Sequence, residues 1–230
     1  PATGGGTNWP GGSYDPETNI LYVSSNSSVT GLAVVPPYPG QSDMAYIQGN
    51  AATGPRTSGG AGSSVGGGRT EFSPAQRRRP QSSRGIPPIG IRVQGLPLLK
   101  PPYGTISAID LTQGTIAFQI PHGQTPDRVA QHPMLEGIDL PRTGQNASVG
   151  TLVTKSLLIA GEGELTVDEN GVRRAMLRAY HKATGTEVGA LALPAPQSGS
   201  PMTYMLNGEQ YIVLAVSGGG YSGELIALRL

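Results

Sequence analysis

The stretch Met202-Thr203-Tyr204-Met205-Leu206-Asn207-Gly208-Glu209-Gln210-Tyr211-Ile212-Val213-Leu214 sets two β-prone segments on either side of an Asn-Gly pair. Asn-Gly favours a two-residue turn with positive φ at both positions, and the twist of that turn matches the twist of paired strands. The segment therefore reads as a hairpin. Upstream, Leu177-Arg178-Ala179-Tyr180-His181-Lys182-Ala183-Thr184-Gly185 has the same cast as Ser107-Ala108-Ile109-Asp110-Leu111-Thr112-Gln113-Gly114. Ala179 matches Ala108 and Gly185 matches Gly114, so a strand, a turn with a glycine at fixed offset and a second strand occur twice in register. Such recurrence marks a repeat architecture.

The rest of the chain fits that reading. Only 13% of residues are charged, while 35 are glycine and 21 are proline. This balance disfavours helical bundles and suits short strands joined by tight turns. Strands are expected at residues 20–24, 105–110, 115–120, 175–180, 187–193, 203–206, 210–216 and 224–230, with two short runs in 151–160 divided around Lys155-Ser156. Residues 13–19 read as a turn, and 122–144 as a polar connector with one helical turn near 126–131. The expected class is all-β, and recurring strand–turn–strand units select the blades of a β-propeller. The matched copies lie 71 positions apart, so two or three blades fit in 230 residues. A closed ring needs about four or more. The expectation is an incomplete ring, and the glycine-rich opening that runs straight into a β pattern reads as truncation at the N-terminus.

Residues 51–85 lose all periodicity; Gly59-Gly60, Gly66-Gly67-Gly68 and Arg77-Arg78-Arg79 sit among serines and prolines. A low-complexity, disordered insertion is expected at about 51–88, because such a composition buries too little apolar surface to offset its ordering entropy. No aromatics interleave with the arginines to stack on bases, so a solvated loop is favoured over a nucleic-acid site. The net charge of +1 adds no global attraction to polyanions. Cysteine is absent, which removes disulfides and thiolate metal sites. No apolar run reaches the roughly eighteen residues of a membrane-spanning helix.

Several segments together resemble the quinoprotein alcohol and glucose dehydrogenases, which depend on pyrroloquinoline quinone. Gly5-Gly6-Thr7-Asn8-Trp9-Pro10-Gly11-Gly12-Ser13-Tyr14-Asp15-Pro16 is similar to their glycine-asparagine-tryptophan corner. Residues 96–109 look like their Leu-Pro-x-x-Lys-Pro-Pro-Tyr-Gly segment, 143–163 like their Gly-Thr-Leu-Val-Thr strand and its partner, and 176–189 and 200–220 like the closing blade. The resemblance implies an eight-bladed propeller of which residues 1–230 are the C-terminal blades. It implies a periplasmic enzyme that oxidises an alcohol or sugar hydroxyl, with a calcium ion beside the quinone and electrons passing to a quinone or cytochrome acceptor. It places Asn8 and Trp9 at the cofactor, with Thr151 and Leu152 at a strand start that reaches it. The family's catalytic aspartate and its calcium ligands lie upstream of Pro1, so a chain of this kind alone is expected to be inactive. Phe118 and Gly189 stand where family blades often carry tryptophan. A non-catalytic propeller scaffold is the rival reading.

The other polar candidates have plainer readings. His122, His132 and His181 share no ligand spacing, and zinc needs three or four converging ligands. Asp127, Asp139, Asp168 and Glu169 read as solvated loop carboxylates. Glu162 and Glu164, flanked by Gly161 and Gly163, sit at a strand end where a pocket could form.

Overall fold

The structure, a computed structural model, describes residues 6–31, 33–50, 54–55 and 91–229. Most of the expected low-complexity insertion therefore lies outside the described residues. The chain divides into two compact units, one of residues 1–30 and 90–230 and one of residues 31–89.

The larger unit is built from antiparallel sheets. Along the chain, β1 is Gly12–Asp15 and β2 is Ile20–Asn26. The smaller unit then contributes β3 (Ala33–Val35), β4 (Ile47–Asn50) and β5 (Gly54–Pro55), paired in that order. In the larger unit follow a ribbon of β6 (Arg92–Val93) and β7 (Leu96–Pro97), then β8 (Gly104–Asp110) and β9 (Thr115–Pro121). After one turn of helix, α1 (Asp127–Ala130), and a 3-10 turn at Pro133–Leu135, come β10 (Thr151–Val153), β11 (Leu157–Gly161), β12 (Thr166–Val167), β13 (Arg173–His181) and β14 (Glu187–Leu193). β15 (Met202–Leu206), β16 (Glu209–Gly218) and β17 (Tyr221–Arg229) complete the set.

The first sheet has the order β1-β2-β8-β9, so residues 31–89 are inserted between its second and third strands. The second runs β10-β11-β13-β14, with β12 also on β13, and the third runs β15-β16-β17. Each is an up-and-down meander, the pattern that tight turns and alternating side chains favour.

Alternation explains how the sheets stack. In β11, Leu158 and Ala160 pack with Tyr22, Ile106, Ala108 and Tyr180, joining the first sheet to the second. Ile159, one residue out of step, packs with Ala175, Leu177, Leu193, Ile212, Leu214 and Val216, joining the second sheet to the third. Successive residues of a strand face opposite sides, so a strand covered on both faces reads as a continuous apolar run. Leu157-Leu158-Ile159-Ala160 is such a run. Each fully buried aliphatic or aromatic side chain contributes about 1.5–3 kcal/mol through area removed from water.

The repeat is physical. The β8–β9 pairing has a register shift between Ala108 and Ile109, and the β13–β14 pairing has one between Ala179 and Tyr180, the matched positions. Gly114 (φ 68°) donates to the Asp110 carbonyl at 2.8 Å, and Gly185 (φ 72°) donates to the His181 carbonyl at 2.9 Å. The Asn207-Gly208 turn has φ of 52° and 83° and joins Leu206 to Glu209.

Two expectations need correction. Residues 13–19 are not wholly turn, because β1 reaches Asp15 and pairs with β2 from Gly12 opposite Val23 to Asp15 opposite Ile20. Four residues carry too little periodicity to show this, and cross-strand pairing decides it. His122 opens a connector but is buried, with both ring nitrogens engaged by the second sheet.

Candidate cofactor edge

At the edge where β1 and β10 begin, several polar loops meet. Asn8 and Trp9 form a corner closed by a Gly11 N–H to Asn8 carbonyl bond of 2.8 Å. The Asn8 side-chain oxygen accepts the Trp9 N–H at 2.8 Å. Its amide nitrogen has no partner among the described residues. Trp9 is 97% exposed. The exposed indole leaves a large apolar surface open to water.

The corner is tied to its neighbours. Gly6 accepts from the Asn26 N–H at 2.6 Å, and the Thr7 hydroxyl donates to the Ser24 carbonyl at 3.2 Å. The Ser200 hydroxyl donates to the Pro10 carbonyl at 3.4 Å. Thr151, the first residue of β10, is buried; its hydroxyl lies 2.7 Å from that of Ser13 and also reaches the Tyr22 carbonyl. Leu152 packs against the core between the second and third sheets. The four residues singled out in the sequence thus divide: Asn8 and Trp9 face solvent, while Thr151 and Leu152 anchor the strand start beside them.

A second cluster lies buried between the first two sheets, and sequence reasoning placed only part of it. Glu162 is fully buried. One of its oxygens accepts from Arg178 Nε (2.9 Å) and Nη2 (2.7 Å) and from the Gln124 N–H (2.8 Å). The other accepts from the Met176 N–H at 3.1 Å. The place where a pocket could form around Glu162 is filled by these donors. Arg178 continues to Glu187 at 2.9 Å, and Glu187 pairs with Arg142 at the surface. Burial would pull the Arg178 guanidinium down, but Glu162 and Glu187 outweigh it and hold it above its ordinary value. Burial raises the Glu187 carboxyl, and Arg142 and Arg178 more than reverse that.

His122 completes the cluster. Its Nε2 lies 3.1 Å from the Gly161 carbonyl, which can only accept, so Nε2 carries the proton. Nδ1 then accepts from the Tyr180 hydroxyl at 2.9 Å. Burial pushes the imidazole down to about 4, so it is neutral near pH 7. The same burial raises Tyr180. Nothing in the spacing of His122, Arg178 and Glu162 announces this cluster; only the alternation that turns Arg178 and Tyr180 to one side of β13 hints at it.

The remaining carboxylates are mostly structural. Asp127 accepts from the Val167 N–H at 2.8 Å, Asp168 accepts from Asn170 and Val172 N–H at 2.9 Å, and Glu164 pairs with Arg128 at 2.9 Å. Asp139 and Glu169 are exposed. His132 caps the 3-10 turn, and His181 holds the β13–β14 turn through its backbone. Among the described residues, no three His, Cys, Asp or Glu side chains gather closely enough to hold a metal ion.

The chain is similar to several known proteins. A quinoprotein glucose dehydrogenase of Escherichia coli K12 is 32% identical over 133 residues, 56% of this chain and 15% of that protein. A probable quinate dehydrogenase (quinone) of Xanthomonas campestris pv. juglandis is 35% identical over 136 residues, again 56% of this chain and 15% of the relative. The glycerol dehydrogenase large subunit of Gluconobacter thailandicus is 28% identical over 220 residues, 95% of this chain and 27% of its own length. The chain thus spans between 15% and 27% of the length of these relatives. The solved quinohemoprotein alcohol dehydrogenase of Pseudomonas putida HK5 superposes with a TM-score of 0.51 at 15% identity, over 97% of this chain and 23% of that one, a likeness of fold. Residues 1–212 match the family model described as PQQ, glucose/ethanol/alcohol dehydrogenase, beta-propeller domain, and the chain belongs to that family.

Proposed function

We propose that this chain is the C-terminal sector of an eight-bladed PQQ-dependent dehydrogenase that oxidises an alcohol or sugar hydroxyl. The observation that carries the reading is the Asn8-Trp9 corner, an indole left 97% exposed beside an amide donor inside a chain of this family. When bound, PQQ would supply the two-electron oxidation of a CH–OH carbon, whose hydrogen leaves as hydride while the hydroxyl proton goes to a base. The chain's own part is binding and orientation. Trp9 offers a flat apolar wall, and the Asn8 amide donates a hydrogen bond to an oxygen that gains charge. Thr151 and Leu152 place the start of β10 at the same edge. The catalytic base and a calcium ion, with their ligands, belong to other segments of the parent, so the chain alone is inactive. The parent works in the periplasm and passes electrons to a quinone or cytochrome.

Trp9 is the single tryptophan of this chain, so Trp9→Phe removes the corner's indole and no other from it. Adding PQQ with calcium to the protein that carries this chain should give a saturable fluorescence quench that Trp9→Phe diminishes, and dye-linked oxidation of alcohols or sugars should appear with it. Intact fold with neither response would leave a non-catalytic scaffold as the function.

A further inference from the structure

The side chain of Gln197 is buried, and both ends of its amide are spent on backbone. Its oxygen accepts the Gly161 N–H at 2.6 Å, at the end of β11. Its nitrogen donates to the Gly150 carbonyl at 2.8 Å, the residue before Thr151. Its own N–H donates to the Glu162 carbonyl at 2.8 Å, and it bridges Val216 of β16. One residue thus joins the second sheet, the third sheet and the loop that delivers β10.

The surroundings leave this arrangement no slack. A Cβ on Gly161 would come within 2.8 Å of the Gln197 side chain, and one on Gly150 would come within 2.7 Å of Ser200. From Gly150 the linkage continues to the corner by two routes. Thr151 meets Ser13 at 2.7 Å, and Ser200, three residues after Gln197, meets the Pro10 carbonyl at 3.4 Å.

We propose that Gln197 is a positioning residue that sets the Asn8-Trp9 corner and the start of β10 at their working separation, and so tunes cofactor affinity without touching the cofactor. This rests on the functional reading above for the cofactor, but not for the geometry. A neutral amide offers both the acceptor and the donor that these partners need, and an ionised carboxylate does not. A carboxylate keeps the acceptor for Gly161 but sets an oxygen against the Gly150 carbonyl, so that contact becomes repulsive and unpaired.

The test compares Gln197→Glu with Lys182→Met, a change that weakens the fold at the far end of β1, where Lys182 contacts Asp15 and Glu17. Hydrogen exchange without cofactor is the first readout. Peptides covering residues 6–13 and 148–153 should exchange roughly tenfold faster in Gln197→Glu, a loss of about 1.4 kcal/mol of local protection, and be unchanged in Lys182→Met. PQQ titration of the protein that carries this chain is the second; affinity should fall roughly tenfold or more in Gln197→Glu alone. Unchanged exchange at both peptides, or equal effects of the two variants, overturns the positioning role. Faster exchange at the corner in a protein that never binds PQQ confirms the geometric role and sinks the functional reading instead.

Discussion

Replacing Glu162 with glutamine tests the buried cluster most directly. The carboxylate takes four donors: Arg178 Nε and Nη2, and the N–H groups of Gln124 and Met176. Glutamine keeps one acceptor oxygen and turns an NH2 group toward one of the donors. Two donors then face each other in a buried site, and one unmatched buried donor costs about 1–3 kcal/mol. The change also strips Arg178 of its buried counter-charge, and breaking a buried pair from one side costs about 3–5 kcal/mol. Glu187 remains on Arg178 at 2.9 Å, so the lower end applies. We expect a loss of about 3 kcal/mol, which at a slope of about 2 kcal/mol per molar urea moves the unfolding midpoint down by about 1.5 M. Far-UV circular dichroism is the assay, because the exposed Trp9 senses little of the core. The double change Glu162→Gln with Arg178→Met removes the stranded charge and should fall short of the summed single losses by about 2 kcal/mol. A midpoint shift below about 0.3 M for the single change, or strictly additive losses, would refute the claim that Glu162 is a desolvated anion held by Arg178.

Other consequences are open to measurement. The His122 imidazole is driven from 6.5 in the unfolded chain to about 4 in the folded one, so the unfolded state binds the extra proton between those values. Stability is therefore full above pH 6.5 and falls as pH drops toward 4, by about 3 kcal/mol, and His122→Gln should flatten urea midpoints across that window. Asp15 is held below its usual range first by the hydrogen bond from Lys182, so its contribution disappears at lower pH, as the solution acidifies below its ordinary value of 3.8. Lys182→Met removes that contact, made at 2.7 Å between two largely buried side chains, and leaves Asp15 without its counter-charge, so the loss should be about 3 kcal/mol by thermal melting. The matched turn glycines separate strain from space. Gly114→Ala meets open space and should cost about 1 kcal/mol for the positive φ alone, whereas Gly185→Ala also drives a methyl group into Phe118 and Ile120 and should lower the melting temperature further. Equal losses for the two would contradict the packing of Gly185 against the first sheet.

The sequence by itself determined the strongest local features. Asn207-Gly208 specifies its turn because only certain residues take positive φ at both positions without cost, and the register of Ala108 to Gly114 with Ala179 to Gly185 announces the repeat. The breaks around Lys155-Ser156 and the β character of 210–216 follow from composition over a few residues. What one strand cannot show by itself, the tertiary structure decided. Four residues at Gly12–Asp15 become a strand only because β2 lies beside them. His122, Glu162 and Arg178 read as ordinary polar residues until two sheets close over them, since burial and counter-charge arise from segments tens of residues apart. Gln197 gains its role the same way, from backbone groups on β11 and ahead of β10 that no spacing rule connects to it. Local propensity acts within a turn or a strand, whereas desolvation and paired charge exist only where distant strands meet.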